Sequence, residues 1–327
     1  MTFVQLNDSL YNDALTIFKE FTTMSMQQQE SSTRAIFYAF LANLGIALTK
    51  TWAAIVTSSG SMLAEAIHSF ADCTNQVLLY VGLRQSVKPP DEEHPLGYGK
   101  TSYFWSFIVA VLLFSMGGLF SVYEGWHKFH APEPVSHIWI ALTVLGISLI
   151  LELFSLLGCL REIKKMRKDK SFWEWFQTTR NAELVVVLAE DNAAIIGLSL
   201  AFVFVLLTGI TGNPVYDAMG SISIGMVLIT ISIFVASRIK TLMLGRSAEP
   251  DLRKLIDDII IADENIESLL NTITVQFGPD IMLAAKIKMQ SGISIETAVE
   301  KINLLEREIK RQAPAIKWCF IEPDNTD

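Results

Sequence analysis

Charge is scarce in this chain. Only 18% of its 327 residues are Asp, Glu, Lys or Arg, against about 25% in soluble domains, and mean hydropathy is +0.37. An ordinary soluble globular fold is therefore not expected. Cysteine is equally sparse. Cys73, Cys159 and Cys319 lie far apart with no CxxC spacing, which argues against a disulfide framework or a cysteine-based zinc site. Histidine stops at His137. No Gly-rich phosphate loop, nucleophile elbow or HExxH is present, so neither an enzyme nor a bound cofactor is expected. The formal net charge of -8 argues against nucleic-acid binding. The first thirty residues carry no basic region followed by a short apolar core, so no cleavable signal peptide is expected, and no internal repeat or low-complexity tract stands out.

The apolar residues gather in runs of about twenty, the length that crosses a hydrocarbon core. Six such segments are expected: Ala35–Thr57, Ser61–Leu83, Tyr103–Tyr123, Ile138–Leu160, Leu184–Leu207 and Val215–Ile239. Before them, Asp8 to Phe21 has the pattern of a short helix. Basic residues collect in alternate loops: Arg84, Lys88 and Lys100, then Arg161 through Lys170 with Arg180, then Arg238, Lys240 and Arg246. Lys50 near the first turn and Lys128 are the exceptions. The positive-inside rule then puts both termini in the cytoplasm.

After Arg246 the pattern becomes soluble and acidic. Leu252–Ala262 reads as a helix, Ser268–Gln276 and Ile281–Met289 as strands about the turn Phe277-Gly278-Pro279-Asp280, Ser294–Gln312 as a helix and Ile316–Glu322 as a closing strand. This αββαβ order predicts a two-layer α+β domain with helices on one face of an antiparallel sheet. The expected organisation is an N-terminal segment 1–33, a six-helix membrane domain 34–241 and a cytoplasmic domain 242–327.

Polar residues inside the apolar runs are the informative ones. Glu65, His68 and Asp72 share one helix face at i, i+3, i+7 spacing, and the fifth segment carries Glu190-Asp191. An ionisable group at the bilayer centre costs roughly 2.5–3.5 kcal/mol on insertion scales, so a bound ion, a proton or a partner charge must compensate. His with carboxylates is a ligand set for divalent transition metals. At about 1.5 Å per residue, Asp72 lies roughly 18 Å from Arg84 and Asp191 roughly 16 Å from Arg180, so both sets reach similar depth. His68, Asp72 and Asp191 supply three donors. Glu190 is the candidate for the fourth, although it points about 100° away from Asp191 on its helix. The alternative is a buried polar network that holds helices together, a role more usual for Ser, Thr and Asn; it stays most open for Glu65 and Glu190.

The run Ser59-Gly60-Ser61-Met62-Leu63-Ala64-Glu65-Ala66-Ile67-His68-Ser69-Phe70-Ala71-Asp72 resembles the second transmembrane helix of the cation diffusion facilitator family. His94-Pro95-Leu96-Gly97-Tyr98-Gly99-Lys100 is similar to the loop that follows it, and Asp217 and Ile321-Glu322-Pro323-Asp324 also match. The resemblance covers roughly residues 34 to 324, and Glu190-Asp191 followed by small residues resembles one branch of that family. It implies a homodimer of six-helix protomers, each with a ferredoxin-like cytoplasmic domain, that exchanges a divalent cation for protons by alternating access. The family's second-helix ligands fall on His68 and Asp72. Its fifth helix usually supplies His and Asp four apart; Asp191 matches the second, but Val187 stands at the first. The site is then oxygen-rich, which leaves Mn²⁺, Fe²⁺ or Co²⁺ open beside Zn²⁺.

Some relatives carry an accessory metal site in the loop after the second helix. Asp91 and His94 match two of its positions and Tyr98 replaces the third; a solvated acidic loop is the alternative. No histidine cluster is expected in the cytoplasmic domain, where Phe320 stands in place of a family His and only oxygen ligands or Cys319 remain. His127, His130 and His137 fall in an outer loop, and the tryptophans near predicted membrane edges suit an aromatic belt. The sequence expectation is thus a multi-pass divalent-metal exporter of a bacterial inner membrane, working against protons. The competing class is a non-transporting membrane metal receptor or scaffold.

Overall fold

The computed structural model describes residues 40–326 apart from 42 and 168. The expected helix at Asp8–Phe21 and the segment 1–33 lie outside the described residues. Helix α1 covers residues 43–57. It is followed by α2 (Gly60–Ser86), α3 (Thr101–His130), α4 (Ile138–Arg167), a short α5 (Phe172–Thr178), α6 (Ala182–Thr211) and α7 (Val215–Leu244). Four of these, α3, α4, α6 and α7, are long and apolar enough to cross a membrane. Helix α2 has 27 residues, but the Glu, His and Asp inside it dilute its apolar character.

Local chemistry sets the ends. Ser59, Ser171 and Asn181 cap α2, α5 and α6 by accepting from the backbone N–H three residues on. Ser171 with Glu174 makes a capping-box pattern, the signal for the unexpected α5. Gly212 and Gly245 close α6 and α7 in the left-handed conformation at φ 67 and 102. Asp217, buried at the start of α7, accepts from Ser59 Oγ at 2.6 Å and from the backbone N–H groups of Gly60 and Ser61. A carboxylate at a helix N-terminus is favoured by the helix dipole, and here it pins α2 to α7 at the end far from the sheet. Helix α3 contains a π-helical stretch, Leu113–Leu119, that includes Gly117-Gly118. Gly118 and Gly125 sit so close to α7 that a Cβ would meet Ile229 and Ile222, the small-residue contact of membrane helices.

The C-terminal unit is α8 (Pro250–Ile261), β1 (Ile266–Phe277), β2 (Asp280–Met289), α9 (Ile295–Gln312) and β3 (Ile316–Pro323). The αββαβ order is as expected, but the sheet is mixed. β1 and β2 are antiparallel across the turn, whereas β2 and β3 run parallel. The cause is α9, which carries the chain back along the sheet so that β3 starts at the same end as β2. Ile256, Ile260, Leu283, Ile287 and Ile309 form its core.

Where the two units meet, backbone lies on backbone. Tyr103 Oη donates to the Gly278 carbonyl at 3.2 Å, Lys100 Nζ sits over the Phe277 ring, and Gln276 N–H donates to the Arg246 carbonyl at 2.9 Å. A Cβ on Gly99 would run into the Phe277 carbonyl. Gly99→Ala must push the β1–β2 turn off the membrane helices, and we expect it to lower stability by about 1–3 kcal/mol. Hydrogen exchange at residues 276–280 should rise in that variant; unchanged exchange would show that this contact does not hold the units together.

Candidate metal centre

The helices bring the intramembrane carboxylates to one place. A cavity of ≈ 290 Å³ is lined by Asp72 of α2, Glu190 and Asp191 of α6, and Glu152 and Ser155 of α4, with Asn43, Ile46 and Gln76 among its other walls. Asp191 Oδ1 accepts from Ser155 Oγ at 3.1 Å, and Glu190 Oε1 accepts from Asn75 Nδ2 at 2.6 Å. Glu190 and Asp191 thus face one cavity, because the long Glu side chain reaches round its helix. Val187 lines it as well. His68 lies one turn along α2, fully buried, its Nδ1 3.7 Å from Asp72 Oδ1. The π-helical segment of α3 backs it: a side chain at Gly117 would stand 3.9 Å from His68 Nδ1. Such bulges are frequent at functional sites.

The polar atoms here are conspicuously unpaired. His68 Nδ1 and Nε2, Asp72 Oδ1, Asp191 Oδ2, Glu65 Oε1, Asn75 Oδ1 and Gln76 Oε1 are buried with no hydrogen-bond partner. Unsatisfied buried atoms are uncommon and costly. Asp72, Gln76 and Asp191 line the cavity, and Glu65, His68 and Asn75 lie beside it on α2; a purely adhesive network would be expected to satisfy more of these atoms. Among the described residues, no three His, Cys, Asp or Glu side chains converge closely enough to hold a metal ion as they stand. An ion held here by three such side chains would therefore require them to move closer together.

Two residues change the sequence reading. Lys50, placed near a turn by its position in the chain, is instead inside α1 and 1% exposed. Its Nζ lies 3.2 Å from Glu65 Oε2 and donates to Ser69 Oγ at 2.8 Å. It is a buried counter-ion, not a loop charge. Glu65 thereby has a cation of the protein's own, and Gly197 of α6 leaves room for its free oxygen. Glu152 was overlooked. A lone acid midway along α4 is the same signal that singled out Asp72, and it lies within electrostatic reach of Asp72, His68 and Asp191.

Asp91 and His94 do meet in the loop after α2, with His94 Nδ1 3.6 Å from Asp91 Oδ1. Both Asp91 oxygens are already engaged, Oδ1 by the His94 backbone N–H and Oδ2 by the Tyr98 hydroxyl at 2.6 Å. The Tyr98 bond, more than any other contact, holds the Asp91 carboxyl below its usual range. That is the geometry of a self-closed turn stacked on the His94 and Tyr98 rings. In the sheet unit Cys319 is buried, and burial pushes its thiol up to about 12, so it offers no thiolate at neutral pH.

A helical membrane unit with ionisable side chains around a buried cavity, followed by an αββαβ unit, is the arrangement the sequence resemblance implied. Residues 36–242 match the cation efflux transmembrane domain, and the chain belongs to that family, the cation diffusion facilitators. Its members are transporters, not enzymes. The chain is 33% identical over 267 residues to the proton-coupled zinc antiporter SLC30A9, mitochondrial, of Xenopus laevis, covering 80% of this chain and 48% of that protein. The human protein of the same name is 32% identical over 256 residues, covering 78% of this chain and 44% of its own length. The chain therefore spans about half the length of these relatives. The resemblance is to zinc transporter nine, the branch to which Glu190-Asp191 points. The manganese efflux system protein MneP of Bacillus subtilis is 24% identical over 307 residues, covering 91% of this chain and 97% of that protein.

The ion pair of Lys50 is testable in isolation. Lys50→Met leaves Glu65 buried without a counter-charge and should cost about 3–5 kcal/mol, read as a fall in unfolding midpoint in detergent. Lys50→Met/Glu65→Gln should recover most of that loss. An unaltered midpoint in the single variant would show that the pair is not needed.

Proposed function

We propose that this chain moves a divalent transition-metal ion through the membrane in exchange for protons, with the Asp72–Asp191 cavity as the halfway site. The observation that carries it is that Asp72 of α2 and Asp191 of α6 line one cavity, each with an unpartnered buried oxygen, and that the unpartnered imidazole of His68 lies 3.7 Å from Asp72. His68, Asp72 and Asp191 are the ligands, and Glu190 becomes the fourth when it leaves Asn75. Glu152 adds negative potential from α4. A metal can bind only deprotonated ligands, so its arrival releases protons and its departure takes them up. That linkage couples the ion to a proton gradient. Alternate opening of the cavity to the two sides completes the cycle.

The same reading gives six spanning helices, with α1 and α2 joining the four apolar ones, and makes the αββαβ unit a ferredoxin-like domain in the cytoplasm. It also makes the working unit a homodimer. The basic loop residues Lys100, Lys170, Arg180 and Arg246 all lie at the sheet end, in contact with or beside that unit, which fits the positive-inside orientation. Two of the named relatives are called zinc antiporters and the third a manganese efflux protein. A site of one imidazole and several carboxylates suits both ions, and we assign Zn²⁺ as the first cargo with Mn²⁺ second.

Proteoliposomes with an imposed proton gradient test this directly. We expect saturable Zn²⁺ uptake that stops when the gradient is dissipated, and its loss in Asp72→Asn and Asp191→Asn, since an amide keeps the packing but neither carries the charge nor exchanges the proton. Val187→His, which adds a nitrogen donor to the cavity wall, should shift preference from Mn²⁺ towards Zn²⁺. Undiminished uptake in both Asn variants would refute the site. No uptake of any ion by folded, inserted protein would favour a metal receptor or scaffold.

A further inference from the structure

Away from the cavity, three arginines crowd together at the sheet end of the membrane helices. Arg238, in the last turns of α7, donates from Nη2 to the Phe176 carbonyl at 2.6 Å and lies 3.5 Å from the Gln177 carbonyl. Arg246 donates from Nη2 to that same Gln177 carbonyl at 3.2 Å. Arg180, immediately after α5, is buried and spends its donors on the carbonyls of Thr178, Ser247 and Ala248. The C-terminal carbonyls of α5 thus draw the guanidiniums into one group, as the negative end of a helix does.

Carbonyl dipoles do not neutralise three positive charges, and among the described residues no carboxylate forms an ion pair with any of them. Glu249, the acid next to this group, goes to Lys170 at 3.5 Å. Mutual repulsion is felt: burial first, and then Arg246, pushes Arg180 down to about 10, which still leaves it charged at neutral pH. Arg238 and Arg246 each use one terminal nitrogen and keep the rest of the fork free. Both are half-buried, and they line one depression with Thr179 and Leu242. A free guanidinium fork matches a phosphate.

What lies beside the group identifies the source of that phosphate. Phe176 stacks between Trp173 and Phe234 of α7, at 5.7 and 5.9 Å, and Arg238 sits 5.4 Å over its ring. Trp173 is 63% exposed and Phe234 47% exposed. Exposed, stacked aromatics at the end of an apolar helix mark the level of the membrane interface, and α5 lies there with Phe172 and Trp173 exposed and Trp175 buried. A headgroup phosphate at that level would reach the arginines while its chains follow Ile233 and Phe234 along α7.

We propose that Arg238 and Arg246, backed by Arg180 and fenced by the α5 aromatics, form a binding site for the phosphate of an anionic phospholipid in the leaflet on the sheet side. The site also straddles the joint between units, since Arg180 and Arg246 hold residues 247–248 and α5 together. It does not depend on which ion, if any, passes through the cavity.

The test is native mass spectrometry of the full chain released from detergent with phosphatidylglycerol or phosphatidylcholine. We expect one phosphatidylglycerol retained per chain in preference to phosphatidylcholine. Arg238→Gln/Arg246→Gln should weaken retention about thirtyfold, and Arg246→Gln alone, should the double variant not fold, about fivefold. Lys164→Gln/Lys165→Gln, on exposed lysines of α4, should change nothing. Equal retention of the two lipids, or equal loss in the lysine variant, would overturn the site. Full displacement of the lipid by millimolar inorganic phosphate would assign the site to the free anion and overturn the lipid.

Discussion

Everything in the membrane unit turns on the cost of keeping ionisable groups out of water. Glu65, His68, Asp72, Glu152, Glu190 and Asp191 all lie within apolar helices, and among the described residues one lysine or arginine, Lys50, forms an ion pair with any of them, at Glu65. Ser155 and Asn75 each give one hydrogen bond. Protons or a bound ion could supply further compensation. A bundle built only for stability would replace this set with apolar residues, since buried charges rarely contribute net stability. The proposed function would account for the set, because a carboxylate or imidazole can be neutralised either by a proton or by a metal.

The scaffold around the cavity holds these groups in place. Asp217 fixes α2 against α7 at one end, while close Gly contacts bring α3 against α7. The groups on α2 are therefore held in register with α7. α6 contributes Asp191 and Glu190, and α4 contributes Glu152, from the opposite wall. At the sheet end, the β1–β2 turn rests on Gly99 and Tyr103, which puts α3 in direct contact with the αββαβ unit. The arginine group at α5 sits at this joint. An anionic headgroup bound there would tie the lipid surface to the same contact, which makes the membrane's composition part of the mechanical unit.

Much of this was legible in the sequence. The apolar runs located the starts of α2, α3, α4, α6 and α7 to within two residues, because twenty apolar residues in a row have few other uses, but stopped seven residues short of the ends of α3 and α4, where polar residues continue the helix. The αββαβ order followed from period-2 and period-3.6 patterns separated by Gly-Pro-Asp and Gly turns. His68, Asp72, Glu190 and Asp191 could be picked out because an ionisable residue in such a run demands a reason. What failed has physical causes too. Strand direction was misread because β2–β3 pairing is set by the α9 crossover, which local patterns do not reveal. Helix α5 is only seven residues long, and a hydropathy window averages it into the basic loop. Lys50 reads as a charge near the first turn because it sits towards the end of its segment, although seven further residues of α1, 51–57, follow it. Glu152 was hidden by the very strength of the apolar run around it. Which helices touch, and hence that Glu65 meets Lys50, cannot be obtained from one-dimensional spacing.

The most direct measurement is X-ray absorption at the zinc edge on the Zn²⁺-loaded protein in lipid. The expected first shell has one imidazole nitrogen with oxygen donors otherwise and no sulfur, and the bound zinc is lost in Asp191→Asn. Two or more imidazoles, any sulfur, or the same spectrum and occupancy in the Asn variant would place the metal elsewhere and contradict the cavity as its site.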